Sequence, residues 1–193
     1  MDAPSVRTLV FLALWFALSI FPPSNPSTRS SNEANLVTHG SSINLLSQIY
    51  QSILMTVNLH RLDDAFHLQA TNEHGRTVET DAGLTTGGKD AGMRPMELLL
   101  AAVGSCSSID IIMLLKKQRQ DLQDIRIVVT GTRRDEEPRI FTGIHVAYTL
   151  VGGIDEKKAE RACRLSMEKM CSVSLMLKAG GVMITWEYEV VVE

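Results

Sequence analysis

The residues with the most distinctive chemistry in this chain are its three cysteines, Cys106, Cys163 and Cys171. They form no CxxC pair and no cysteine/histidine spacing, so neither a zinc site nor a disulfide-rich scaffold is indicated. Free or redox-active thiols are the better expectation. On residue type alone each reads more readily as a small buried hydrophobe than as a reactive thiol. Cys106 lies in Gly104-Ser105-Cys106-Ser107-Ser108, where small side chains allow a ligand or another backbone to approach closely. Cys163 falls on the apolar face of a helical pattern with Ala159, Ala162 and Leu165 to Met167, which suits a core position. A pair of thiols can reduce a peroxide: one thiolate attacks and becomes a sulfenic acid, and a second thiol protects it from over-oxidation by closing a disulfide. A buried thiol ionises only with help from a cation or a helix amino terminus.

Other polar residues are less telling. Asp110 stands one helical turn after Cys106, where an acid would raise a thiol pKa, so a capping or subunit-contact role suits it better. His145 has no ligand-spaced partner. Arg133, Arg134 and Arg139 flank a charged turn whose bland reading is a solvated, salt-bridged loop tip. The glycines from Gly83 to Gly92 lack both the P-loop ending and the dinucleotide spacing, so no nucleotide, cofactor or metal is expected. A net charge of −3 without a basic excess excludes a general nucleic-acid binder.

The elements that must position these residues follow from pattern. Val57, Leu59 and then Phe66, Leu68 and Ala70 alternate with polar neighbours, predicting two strands around an Asp63-Asp64 turn, with Thr77 to Asp81 as a third. The glycines that follow predict a loose, mobile connection. Pro95 suits a first helical turn, and the run from Met96 to about Gln120 predicts a long, largely buried helix ending in Lys116, Lys117 and Arg119. Ile125 to Thr132 and Ile140 to Val151 predict a long hairpin. Asp155 to Met170 and Ser172 to Leu177 predict two helices around Cys171, and Val182 to Val192 a final strand. Strands cluster in hairpins instead of alternating singly with helices, which gives an α+β fold.

Residues 1–54 differ in character, holding only Asp2, Arg7, Arg29 and Glu33 of the chain's 19 basic and 22 acidic residues. The apolar run Leu9 to Phe21 is too short to span a bilayer comfortably and lacks a convincing small-x-small cleavage site. Two readings stand: a targeting segment, or an extension upstream of a true start at Met55. A domain is expected from 55 to 193, in the cytoplasm, with membrane association only if the first segment is a genuine signal or anchor.

Two motifs then carry a resemblance. Pro95-Met96-Glu97-Leu98-Leu99-Leu100-Ala101-Ala102-Val103-Gly104-Ser105-Cys106 resembles the first cysteine helix of OsmC/Ohr proteins, and Glu168-Lys169-Met170-Cys171-Ser172-Val173-Ser174-Leu175 resembles the second. Ser107-Ser108-Ile109-Asp110 and Arg133-Arg134 with Pro138 to Thr142 resemble the YhfA-like subgroup in particular. The resemblance covers about residues 55 to 193. It implies antiparallel sheets wrapped around two cysteine-bearing helices in an intertwined homodimer. It also implies reduction of hydrophobic organic hydroperoxides in oxidative stress defence, with Cys106 peroxidatic, Cys171 resolving, and an external dithiol, such as a lipoyl group, as reductant.

Peroxidase members carry a glutamate just after the helix-starting proline, where this chain has Met96, and an arginine on the amino-terminal hairpin, where it has Glu73 with Arg76 displaced. Glu97, Arg134 and Arg139 are the nearest stand-ins, with Arg133 beside them. Nine residues at 100° each put Glu97 across a straight helix from Cys106, so a kink at Gly104 would be needed. A second function class therefore stands beside the first: a non-peroxidatic small-molecule-binding or thiol-carrier protein of the same fold.

Overall fold

The computed structural model describes residues 54–192; the expectations for residues 1–53 lie outside them. Strands β1 (Val57–Arg61), β2 (Leu68–Asn72) and β3 (Thr77–Thr80) form an antiparallel sheet in that order. Its Leu59-Ala70-Val78 row is apolar, yet Leu59 and Val78 are exposed. The connection that follows is tied down, not loose. The buried Asp81 carboxylate accepts hydrogen bonds from the amides of Ala82, Lys89 and Ala91, and Lys89 reaches Asp63 at 2.8 Å.

Helix α1 (Pro95–Lys117) follows, three residues shorter than the sequence pattern predicted. Pro95 occupies its first turn, Glu97 reaches back to the Arg94 amide, and Lys116 and Lys117 sit in its last turn. It has the length and apolarity of a membrane span, but one side, with Val103, Gly104, Ser107, Ile111 and Leu115, is buried in the core. Strands β4 (Asp121–Arg133) and β5 (Phe141–Gly153) form the long hairpin. Helix α2 (Glu156–Leu165) opens with Asp155 accepting from the Lys158 amide. It runs into a π turn (Ser166–Met170), after which come helix α3 (Ser172–Ala179) and strand β6 (Met183–Val191).

The fold is α+β with two three-stranded sheets. One detail departs from the all-antiparallel expectation: β6 pairs with β5 in parallel. The crossover through α2 and α3 returns the chain in the same direction, as a parallel connection requires. Alternation along β4, β5 and β6 aligns Ile127, Tyr148 and Tyr188 in one row and Val129, Val146 and Trp186 in the next. These rows face α1 and α2 and make the core. Burying each large aliphatic side chain contributes roughly 1.5–3 kcal/mol.

Candidate functional site

Cys106 sits in the middle of α1, partly exposed, and Cys171 is fully buried at the amino terminus of α3. The Cys171 sulfur accepts a hydrogen bond from the Ser174 amide at 3.4 Å. That places it at a helix amino terminus, a position that favours a thiolate. Burial nevertheless pushes its pKa up to about 11, opposed by the Ser174 amide and reinforced by the neighbouring Cys106 thiol. The structure therefore brings the two predicted thiols together, one open to solvent and one enclosed. Cys163 lies in the core with its thiol pushed up to about 12 by burial.

A buried network holds the walls of this thiol pair. Tyr148 Oη donates to Ser107 Oγ at 2.6 Å and lies 3.0 Å from Met167 Sδ. Ser107 Oγ in turn donates to the Val103 carbonyl. Ser166 Oγ donates to the Ser107 carbonyl and lies 3.2 Å from Asp110 Oδ2, so α1 and the π turn are joined at the residue next to Cys106. Burial raises the Tyr148 pKa, which keeps its hydroxyl a proton donor. Asp110 thus contacts the turn that leads to Cys171.

The remaining predicted residues are placed elsewhere. Glu97 accepts from both the Arg94 amide and the Arg94 guanidinium, contacts that hold its pKa below the usual carboxylate range. Arg94 also pairs with Asp90. Glu97 is nine residues from Cys106, about 13.5 Å along the helix axis. Arg134 and Arg139 spend their donors on the hairpin tip: Arg134 Nε on the Pro138 carbonyl, Arg139 on the Arg134 carbonyl and Asp135. Arg133 Nε bonds the Arg139 carbonyl. His145 lies on the outer face of the sheet against Thr185 and Glu187.

Sequence reasoning did not single out Arg94, Tyr148 or Lys178, and placed Met167 only on the buried face of its helix, where it lies. Arg94 had a signal, since a glutamate three residues after the position preceding a helix is the second half of a capping box. The others had none, because their roles depend on contacts across 11 to 41 residues of chain. A cavity of ≈ 670 Å³ opens at the start of α1, with Met96, Leu100 and Phe141 on its walls and Arg94 and Arg133 among the lining residues. Among the described residues no cluster of three potential metal ligands occurs.

This geometry can be set beside known proteins. The sequence profile described as OsmC-like protein matches residues 87–187, more than half of the chain. The chain belongs to the OsmC family. Protein YhfA of Escherichia coli K12 is 45% identical over 103 residues, which are 53% of this chain and 76% of YhfA. A hypothetical protein from Aquifex aeolicus VF5 is 36% identical, with a TM-score of 0.60 over 72% of this chain and 98% of that one. The organic hydroperoxide resistance protein OhrB of Bacillus subtilis, at 17% identity and a TM-score of 0.51, covers 69% of this chain and 98% of its own and shares the fold.

Proposed function

We propose that this OsmC protein is a thiol-dependent peroxidase for organic hydroperoxides, acting as a homodimer in the cytoplasm. The observation that carries the reading is the pairing of a solvent-reachable Cys106 with an enclosed Cys171. Cys106 thiolate attacks the outer peroxide oxygen, the O–O bond breaks, and the alkoxide leaves as alcohol after taking a proton. The sulfenic acid is then attacked by Cys171, water leaves, and a disulfide remains. An external dithiol of lipoyl type restores both thiols by exchange. The apolar surroundings of Cys106, with Ile109 and Met113 exposed on the same helix, favour a hydrophobic hydroperoxide. Recovery of a mature chain starting upstream of Met55 from an exported fraction would remove the cytoplasmic assignment.

A homodimer is supported by unpartnered apolar surface. Ile109 is 57%, Met113 52% and Met176 74% exposed, on helices that otherwise pack in the core, and the Leu59-Ala70-Val78 row faces outward on a separate sheet. Exposed apolar side chains of this kind suit an association surface.

The test is intact-mass and disulfide mapping of the reduced protein after brief exposure to one equivalent of cumene hydroperoxide. The peroxidase reading expects rapid Cys106–Cys171 disulfide in the wild type and sulfenic acid trapped on Cys106 in Cys171→Ser. Slow, unselective oxidation of all three cysteines overturns it. That outcome would favour the second reading, a small-molecule-binding or thiol-carrier protein, which is supported by Glu97, Arg134 and Arg139 being engaged away from the thiols and by the cavity at the start of α1.

A further inference from the structure

We propose that Lys178 is a positioning residue for Cys171, acting through the π turn that delivers this cysteine to Cys106. The inference rests on reading Cys106 and Cys171 as a redox pair, and adds the device that sets their alignment. Helix α2 widens after Leu165, so that the Cys171 amide donates to the Ser166 carbonyl, five residues back, at 2.9 Å. In an α-helix the Cys171 amide would bond the Met167 carbonyl instead. The π turn thereby releases the Met167 carbonyl in a residue that is fully buried, and a buried carbonyl needs a partner.

Two side chains from α3 supply it. Lys178 Nζ donates to the Met167 carbonyl at 2.8 Å, and Ser174 Oγ donates to the same oxygen at 3.3 Å. Lys178 is partly buried and, among the described residues, has no carboxylate within ion-pair distance. Its ammonium is directed at a backbone oxygen instead of being spent on a surface pair. Ser174 also donates its amide to the Cys171 sulfur. The residues before and after Cys171 are therefore clamped to each other across the cysteine.

The other side of the turn is fastened to α1. Ser166 Oγ bonds the Ser107 carbonyl, and Met167 Sδ receives the Tyr148 hydroxyl that also bonds Ser107. Loss of the Lys178 contact leaves the Met167 carbonyl underpaired and lets the turn revert toward α-helix. That would rotate Cys171 away from Cys106, because removing the extra residue of a π turn shifts the following residues by about 100° around the axis. The effective concentration of one thiol at the other then falls, and the disulfide becomes less favourable.

The experiment is equilibration of the full chain in glutathione redox buffers, with the Cys106–Cys171 disulfide quantified by mapping. Lys178→Met should lower the equilibrium constant for disulfide formation at least tenfold, equivalent to about 30 mV for a two-electron couple. Lys178→Arg, which can still donate to the carbonyl, should restore it to within about threefold of wild type, and the exposed control Lys157→Met, outside the turn, should leave it unchanged. Thermal midpoints recorded alongside separate folding loss from misalignment. Equal constants for Lys178→Met and wild type would overturn the proposal, as would a loss that Lys178→Arg does not rescue. A wild type that forms the disulfide in glutathione yet ignores hydroperoxide removes the peroxidase reading and leaves this one standing; a wild type that forms no Cys106–Cys171 disulfide at any ratio removes this one.

Discussion

Cys106 and Cys171 differ by environment and not by residue type: Cys106 is partly exposed, and burial pushes the Cys171 thiol up to about 11. Under the proposed peroxidase function the exposed thiol meets the peroxide and the enclosed one waits for the sulfenic acid. Beside them, Ser107 accepts a strong hydrogen bond from the Tyr148 hydroxyl, and among the described residues the other acceptor in reach is the weaker Met167 sulfur. Ser107→Ala should therefore cost about 1–3 kcal/mol, as expected for a buried donor left poorly paired. Tyr148→Phe removes the donor itself and should cost less. Urea unfolding of the two variants checks the order, and a larger loss for Tyr148→Phe would contradict it. These residues escaped sequence reasoning because a serine among small neighbours and a tyrosine in a strand carry no sign of each other across 41 positions.

At the level of elements, α1 lies against the long hairpin through two glycines. A Cβ at Gly104 would approach a Val129 methyl to 3.0 Å, and one at Gly131 would fall 2.3 Å from the Phe141 ring and 3.0 Å from Leu100. Gly131→Ala should destabilise by about 1–3 kcal/mol through overpacking, with a larger effect than at Gly143, where the nearest atom is 3.8 Å away. Thermal denaturation of both variants tests the comparison. The Asp81 loop offers a pH test. Amide hydrogen bonds from Ala91, Lys89 and Ala82 hold the Asp81 carboxyl below its usual pKa. A depressed folded pKa stabilises above the unfolded value and is lost as pH falls through the folded one. Protection factors of the Lys89 and Ala91 amides, taken against the intrinsic exchange rate at each pH, should fall below pH 4 while amides in β5 stay protected; uniform protection across that range would contradict it. Proline, capping and period-2 alternation made most of these elements legible, but the π turn has no propensity signature, so the helix before Cys171 read as continuous to Met170.

For the whole molecule, two measurements bear on assembly and stability. Sedimentation at micromolar concentration should give twice the chain mass, and Ile109→Asp, placing a charge on the exposed α1 face, should shift it to monomer; a monomeric wild type would remove the dimer. Alkaline pH should weaken the fold. Burial raises the Cys163 thiol to about 12 from an ordinary 9.0, so the folded state keeps a proton that the unfolded chain releases. A raised folded pKa means stability is fully present below pH 9 and declines as pH climbs toward 12. At pH 10 the loss from Cys163 alone is on the order of 1 kcal/mol. Urea midpoints at pH 8 and 10, under reducing conditions, should fall in wild type and fall less in Cys163→Ala.

What the sequence determined by itself was everything written in short-range pattern: the α+β class, the hairpins, the helix opening at Pro95, and the two cysteine motifs that resemble the OsmC family. Alternation and helical period report which face of an element is buried, and so they report the elements. The tertiary structure alone decided which groups meet. It turned β6 parallel to β5, tied Glu97 to Arg94, kept Arg134 and Arg139 on the hairpin tip, and set Lys178 on the Met167 carbonyl before Cys171. Side-chain partners of this kind depend on the packing of distant segments at ångström separations, and a one-dimensional pattern holds no record of that distance.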